Sequence, residues 1–117
     1  MSGYLTTHVL DTARGCPAKG LEIDLFRIKS DARHLIATAV TNDDGRTDKQ
    51  ILPQELFEIG EYELVFHAGP YLAMTGQGAE GAPFLGNIPI RFKMSETSHY
   101  HVPLLLSPFG YSTYRGS

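Results

Sequence analysis

The sequence predicts an all-β protein, a sandwich of two sheets with one short helix. Runs of alternating apolar and polar residues recur along the 117-residue chain, and such alternation is typical of strands with one buried face. Segments rich in Gly, Pro, Asn and Asp separate these runs, as turns do. We count about eight short strands, the number expected for a two-sheet sandwich.

The clearest strands are predicted over residues 87–94 and 61–67. In the first, four apolar residues alternate with polar ones: Ile88, Ile90, Phe92 and Met94. Pro89 has no N–H to donate to a neighbouring strand, so this strand is predicted at the edge of a sheet. In the second strand the predicted inward-facing residues are Tyr62, Leu64 and Phe66.

Further strands are predicted over 4–11, 21–29, 34–41, 100–106 and 110–115. The alternation in 21–29 slips near Phe26, which a β-bulge would explain. Residues 42–45 predict the turn of a β-hairpin. One helical turn is expected near 53–57, and a short helix at 71–74.

Composition limits the class of protein. Hydrophobic residues make up 42% and charged residues 20% of the chain, which predicts a soluble globular protein that forms one domain over residues 1–117. No apolar run approaches the roughly 20 residues that span a bilayer. The net charge of −3, with signs interspersed, predicts no nucleic-acid partner and no membrane surface partner.

The compartment is expected to be the cytoplasm. The first residues show neither the basic nor the apolar region of a secretory signal. Cys16 is the single cysteine and cannot form an internal disulfide, which agrees with a reducing compartment. No acid–base partner for Cys16 is recognisable, so no catalytic thiol is predicted.

Histidines provide the first candidates for chemistry. His99 and His101 lie two residues apart, so both project from one face of a strand, and Thr6 and His8 share a face in the same way. The His99–His101 pair is compatible with a half-exposed strand, with a His-x-His metal site, or with acid–base chemistry near neutral pH. These alternatives stay open from the residues alone.

Other polar residues offer weaker signals. Arg46 directly follows the turn at 42–45, where a solvated strand-edge arginine is the ordinary interpretation. His34 and His67 belong to no motif. The glycine-rich segment 76–83 follows no predicted strand and opens no helix, so it is predicted to be a flexible surface loop rather than a phosphate-binding loop.

Three segments together carry a family resemblance. They are the N-terminal Leu5-Thr6-Thr7-His8-Val9-Leu10-Asp11-Thr12, the turn Asp44-Gly45-Arg46, and the C-terminal region from His99-Tyr100-His101-Val102-Pro103-Leu104 to Tyr114-Arg115-Gly116-Ser117. In these segments the chain resembles the 5-hydroxyisourate hydrolases, the transthyretin-related proteins of purine degradation. The resemblance implies a transthyretin-like sandwich of two four-stranded sheets. It also implies a homotetramer, a dimer of dimers, with active sites in a channel between the dimers.

The resemblance also implies the reaction and the site. The reaction is hydrolytic opening of the six-membered ring of 5-hydroxyisourate to 2-oxo-4-hydroxy-4-carboxy-5-ureidoimidazoline, without a cofactor or metal. The implied catalytic residues are His8, Arg46 and His101. The implied substrate-binding residues are His8, Arg46, Tyr114, Arg115 and Ser117, while His99 is expected to be supporting or structural.

The side-chain chemistry suits this reaction. A neutral imidazole can remove a proton from the attacking water, and a guanidinium can stabilise the negative charge that develops on the carbonyl oxygen. The sequence does not choose between His8 and His101 as the base. Two alternatives remain, a non-enzymatic carrier of a planar molecule, and a metalloprotein with His8, His99 and His101 as ligands for Zn²⁺ or Cu²⁺.

Overall fold

A computed structural model describes residues 2–78 and 82–116. Its strands are β1 (Tyr4–Thr6), β2 (Val9–Asp11), β3 (Cys16–Pro17), β4 (Glu22–Lys29), β5 (Ala32–Val40), β6 (Gly60–His67), β7 (Asn87–Met94), β8 (His99–His101), β9 (Leu104–Ser107) and β10 (Gly110–Thr113). A 3₁₀ turn covers Gln54–Leu56, and the helix α1 covers Ala68–Met74. No helix within the described ranges is long and apolar enough to cross a membrane.

The strands form the predicted sandwich of two four-stranded sheets. One sheet has the order β5-β4-β6-β7 and the other the order β10-β9-β2-β3. A two-stranded parallel pair of β1 and β8 accompanies them. The predicted fold class is therefore confirmed, including the short helix.

The hydrophobic core lies between the two sheets. Alternate side chains of β4 and β6 point into it, because successive side chains of a strand project to opposite faces. The predicted inward set of β6 is confirmed, since Tyr62, Leu64 and Phe66 are fully buried. They belong to one cluster with Leu5 of β1 and with Val9, Leu104 and Leu106 of the other sheet.

Two predicted strands are interrupted, and both interruptions lie at the histidines. Residues 4–11 form β1 and β2 rather than one strand, because β1 pairs with β8 whereas β2 pairs with β9. The predicted strand 100–106 breaks at Val102 and Pro103, where Pro103 has no N–H to continue the ladder. The predicted strand 110–115 ends at Thr113.

The other local predictions are mostly confirmed. The register of β4 against β5 shifts between Leu25 and Phe26, as expected for a bulge, and β7 with Pro89 lies at a sheet edge. The hairpin prediction is wrong. Residues 42–45 form a tight turn, in which Gly45 N–H donates to the Asn42 carbonyl, but the turn does not join two paired strands of a sheet. Residues 79–81 of the predicted loop 76–83 lie outside the described part of the chain.

Candidate active site

Strand pairing brings the predicted histidines together from opposite ends of the chain. The parallel register of β1 and β8 sets Tyr4 against His99 and Thr6 against His101. His8 lies in the gap between β1 and β2 and forms an isolated antiparallel bridge with Arg46. The turn at 42–45 makes this bridge possible, because it returns the chain toward β2 directly before Arg46.

A chain of three hydrogen bonds links the side chains of the site. His8 Nδ1 lies 2.7 Å from His101 Nε2, and His101 Nδ1 lies 2.7 Å from the hydroxyl of Thr6. The same hydroxyl lies 2.7 Å from His99 Nε2. Both ring nitrogens of His101 therefore form hydrogen bonds within the site, whereas Nε2 of His8 is available to bind a substrate.

The His8 and His101 rings interact through their edges. Their centroids are 4.8 Å apart and their planes differ by 21°, so the ring planes are close to parallel. A nitrogen–nitrogen distance of 2.7 Å is shorter than van der Waals contact between stacked rings, which lies near about 3.5 Å. The contact is a hydrogen bond, and one ring carries the proton that the other accepts.

The surroundings of the two rings favour their neutral forms. Burial lowers the pKa of His8, and the positive charge of Arg46 lowers it further. For His101, burial comes first, and the neighbouring charges of His8, Arg46 and His99 add to it, so that the pKa falls to about 4. A hydrogen bond to the Thr6 backbone acts in the opposite direction. Neutral imidazoles at pH 7 are what a general base requires.

The C-terminal segment packs directly on His101. The backbone N–H of Gly116 donates to the His101 carbonyl over 2.6 Å. A Cβ at Gly116 would lie 3.0 Å from His101 Cδ2, so only glycine allows this approach without displacement of the ring. The role of Gly116 was not predicted from the sequence.

Two other predicted substrate contacts lie elsewhere in the described structure. Tyr114 and Arg115 line a cavity of about 430 Å³ between the edge of β7 and the end of β10. The Arg115 guanidinium lies 4.4 Å from the centre of the Tyr100 ring. Ser117 lies outside the described residues. A smaller cavity of about 220 Å³ is lined by Arg46, Thr6, Thr7 and residues 47–50.

The arrangement does not resemble a three-histidine metal centre. His8, His99 and His101 direct ring nitrogens at one another or at Thr6 instead of at a common point. In residues 2–78 and 82–116 no group of three or more His, Cys, Asp or Glu side chains is placed to hold a metal ion. His67 is bonded to Asp24 over 2.8 Å, away from this cluster.

The fold and the site together define a β-sandwich protein with an acid–base site. Its features are a hydrogen-bonded pair of imidazoles with lowered pKa values and an arginine whose backbone pairs with that of His8. A model of the HIUase/Transthyretin family matches residues 5–116. The chain therefore belongs to the HIUase/Transthyretin family.

Similar proteins agree with this assignment. The chain is 59% identical to 5-hydroxyisourate hydrolase 2 of Rhizobium meliloti (strain 1021), over 99% of this chain and 98% of that protein. The crystal structure of (S)-allantoin synthase matches with a TM-score of 0.90 and 46% identity, over 99% of this chain and 44% of that one. The structure of Klebsiella pneumoniae 5-hydroxyisourate hydrolase matches with a TM-score of 0.82 and 33% identity, over 98% of this chain and 99% of that one.

Proposed function

We propose that this protein hydrolyses 5-hydroxyisourate to 2-oxo-4-hydroxy-4-carboxy-5-ureidoimidazoline, a step of urate degradation. The observation that carries the proposal is the hydrogen-bonded His8–His101 pair beside Arg46. The relative from Rhizobium meliloti, which matches almost the whole chain, carries the name of this activity.

His8 is the general base in this proposal. Its Nδ1 is used by His101, so Nε2 is the nitrogen available to a water molecule held against the substrate carbonyl. Burial and the charge of Arg46 lower the pKa of His8, which keeps this nitrogen unprotonated at pH 7. His101 holds the His8 ring in place.

Arg46 binds the substrate and stabilises the oxyanion. Attack of water on a ring carbonyl moves negative charge onto the carbonyl oxygen, and a fixed guanidinium donates hydrogen bonds to that oxygen. The oxyanion then collapses, the ring C–N bond breaks, and the leaving nitrogen takes the proton held by His8. The balance is complete with one water, so the reaction consumes no other co-reactant.

The C-terminal residues Tyr114, Arg115 and Ser117 contact the substrate in this proposal. Tyr114 is 54% exposed and can present its ring to a planar substrate, and Arg115 and Ser117 belong to the same terminal segment. Residues 1–117 are taken to act as one domain.

A coupled ultraviolet assay tests the proposal. Urate oxidase generates 5-hydroxyisourate in place, and its decay is followed with and without the protein, because the intermediate also hydrolyses spontaneously. The wild type should accelerate the decay. Arg46→Ala should lose about 10²- to 10³-fold in kcat, the usual effect of removing one oxyanion donor.

Lys29→Ala is the matched control, since it removes an exposed cation from β4 of the other sheet. It should retain wild-type activity. His8→Asn should reduce turnover by about two to four orders of magnitude. A wild-type protein that leaves the decay unchanged would refute the hydrolase proposal and favour a carrier of planar molecules.

The assembly and compartment extend the proposal. We take the protein to be a homotetramer, a dimer of dimers, in the cytoplasm. The edge strand β10 supports association, because its Tyr111 and the following Tyr114 are 47% and 54% exposed. Light scattering after size exclusion should give the mass of four chains, and the mass of one chain would contradict it.

A further inference from the structure

Two residues of the hydrogen-bond chain have no part in the reaction as proposed. Thr6 and His99 lie behind His101, and the order of the chain is His8, His101, Thr6, His99. Each of the three links is 2.7 Å long. The inference below rests on the proposed function.

The Thr6 hydroxyl sets the direction of the whole chain. It has one proton, so it can donate to one histidine only and must accept from the other. If it donates to His101, then His101 donates to His8, and His8 carries its remaining proton on Nε2, where it cannot act as a base. If it donates to His99, then His101 carries a proton on Nδ1, and His8 keeps a free lone pair on Nε2.

The second direction fits both the geometry and the proposed reaction. The Thr6 hydroxyl lies 2.7 Å from both His101 Nδ1 and His99 Nε2, so it can accept from the first and donate to the second. This direction also leaves His8 as an acceptor, as the reaction requires.

We infer that Thr6 and His99 complete a proton relay, in which Thr6 is a positioning residue that selects the reactive tautomer of His8 and His99 receives the proton taken from water. The water proton moves to His8 Nε2, and the His8 Nδ1 proton moves to His101 Nε2. The His101 Nδ1 proton moves to Thr6 Oγ1, and the Thr6 proton moves to His99 Nε2. The new C–O bond forms as the water O–H breaks, and the relay runs in reverse when the leaving nitrogen is protonated.

The two ends of the relay have different surroundings. The positive charge of Arg46 acts on His8 at one end. The His99 ring stacks on Tyr4 with centroids 4.2 Å apart and planes 11° from parallel, and an aromatic face attracts a cation. The Arg115 guanidinium lies over the Tyr100 ring and donates to the His99 carbonyl over 3.3 Å, so a positive charge also lies at this end.

Thr6→Val and Thr6→Ser form the main test. Valine has the shape of threonine without the hydroxyl, whereas serine keeps the hydroxyl. We expect Thr6→Val to lower kcat by about 10²-fold, the lower end of a general-base contribution, with little change in KM. Thr6→Ser should stay close to the wild type. His99→Gln can still form a hydrogen bond to Thr6 but cannot carry the proton, so its kcat should fall as much as that of Thr6→Val. This second variant keeps the test valid if Thr6→Val does not fold.

A proton inventory in mixtures of H₂O and D₂O separates a relay from a structural role. The dependence of kcat on deuterium fraction should be curved for the wild type and Thr6→Ser, because several protons move in one step, and linear for Thr6→Val and His99→Gln. A linear wild-type dependence would overturn the relay, as would unchanged turnover in both of these variants.

Nitrogen NMR of the histidine rings tests the tautomers without substrate. His8 and His101 should both carry their neutral proton on Nδ1 in the wild type, and Thr6→Val should move the His101 proton to Nε2. Identical tautomers in the two proteins would overturn the role of Thr6. This measurement stands even if the protein proves inactive toward 5-hydroxyisourate, so failure of the relay and failure of the proposed function are distinguishable.

Discussion

Gly116 determines the position of the His101 ring because it has no side chain. Its N–H donates to the His101 carbonyl, and a methyl group in its place would meet the imidazole at 3.0 Å. Such a contact is closer than packed carbon atoms tolerate, so the ring would have to move. Any movement would lengthen the 2.7 Å hydrogen bond to His8.

Gly116→Ala should therefore reduce kcat by less than the roughly 10²-fold that a 1 Å misplacement costs, because relief of a 3.0 Å contact needs a smaller shift of the ring. The matched control is Gly110→Ala, because a Cβ at Gly110 would lie 3.8 Å from Ser107 Oγ, an ordinary contact. The coupled ultraviolet assay gives kcat, and circular dichroism checks that both variants fold. Equal activity of Gly116→Ala and the control would contradict the positioning role of Gly116.

His101 should titrate far below an ordinary histidine. Burial, followed by the charges of His8, Arg46 and His99, lowers its pKa from 6.5 to about 4. Because the folded-state pKa is lowered, the unfolded state binds more protons between these two values, and stability contributed by His101 increases as pH rises through this window. NMR titration of the ring protons measures the value directly.

Arg46→Gln should raise the pKa of His101, because it removes a positive charge that disfavours the imidazolium. Arg115→Gln serves as the control, since Arg115 is not among the causes of the shift. A His101 titration that does not move in Arg46→Gln would show that burial and the other histidines account for the whole effect.

At the scale of elements, the turn at 42–45 determines where Arg46 lies. Asn42 accepts hydrogen bonds from the N–H groups of Asp44 and Arg46 through its side-chain oxygen. Gly45 has φ +73°, and a Cβ there would lie 2.4 Å from the Val9 carbonyl oxygen. The turn thus packs on β2 directly beside His8, and the backbone of the turn aligns the two residues of the site.

Gly45→Ala should destabilise the protein for two reasons, the left-handed backbone and the clash with a backbone oxygen. Gly15→Ala is the matched control, because Gly15 has φ +70° but no atom within 4 Å of its Cβ position. The control should lose about 1 kcal/mol of unfolding free energy, and Gly45→Ala should lose more, together with activity. Urea denaturation gives both values, and equal losses would exclude a contribution of the clash.

At the scale of the whole molecule, a buried carboxylate ties the two halves of the sandwich together. Asp11 of β2 is 1% exposed and accepts hydrogen bonds from Tyr71 at 2.7 Å and from Gln77 at 2.8 Å. Tyr71 lies on α1, which follows β6 of the other sheet. The Arg14 backbone N–H also donates to Asp11, at 2.9 Å.

This network should make the protein sensitive to acid. Burial raises the pKa of Asp11, but the hydrogen bonds from Tyr71, Arg14 and Gln77 together lower it below its ordinary value of 3.8. Because the folded-state pKa is lowered, the stabilisation is fully present above pH 3.8 and is lost as pH falls through the folded-state pKa.

Asp11→Asn should be less stable than the wild type at pH 7 and should show a shallower loss of stability below pH 3.8, the ordinary value of the carboxyl pKa. Asp31→Asn is the control, since Asp31 is exposed and asparagine tolerates its φ of 61°. Urea denaturation from pH 7 to acid compares the slopes. An unchanged acid slope in Asp11→Asn would assign the acid sensitivity to other carboxyls.

Local patterns predicted the elements of the fold better than their ends. The alternation over 87–94 and 61–67 predicted β7 and the buried face of β6, because one-sided burial imposes a period of two on a strand. The turn at 42–45 was predicted from its Asn, Asp and Gly residues. Its role in placing Arg46 beside His8 was not predicted, since a turn signal does not specify what packs on the turn. The break between β1 and β2 left no local signal, because it arises from a change of pairing partner.

Local sequence patterns predict the all-β class and the buried residues of the strands, and the family resemblance supplies the candidate residues His8, Arg46 and His101. How these residues are connected depends on the tertiary structure. Thr6 and His101 are 95 positions apart, and their contact depends on the parallel pairing of β1 with β8. Strand pairing over such separations is set by the packing of the whole core, which local periodicity does not contain. For this reason the hydrogen-bond chain from His8 to His99, and the place of Gly116 against His101, became visible only in the folded protein.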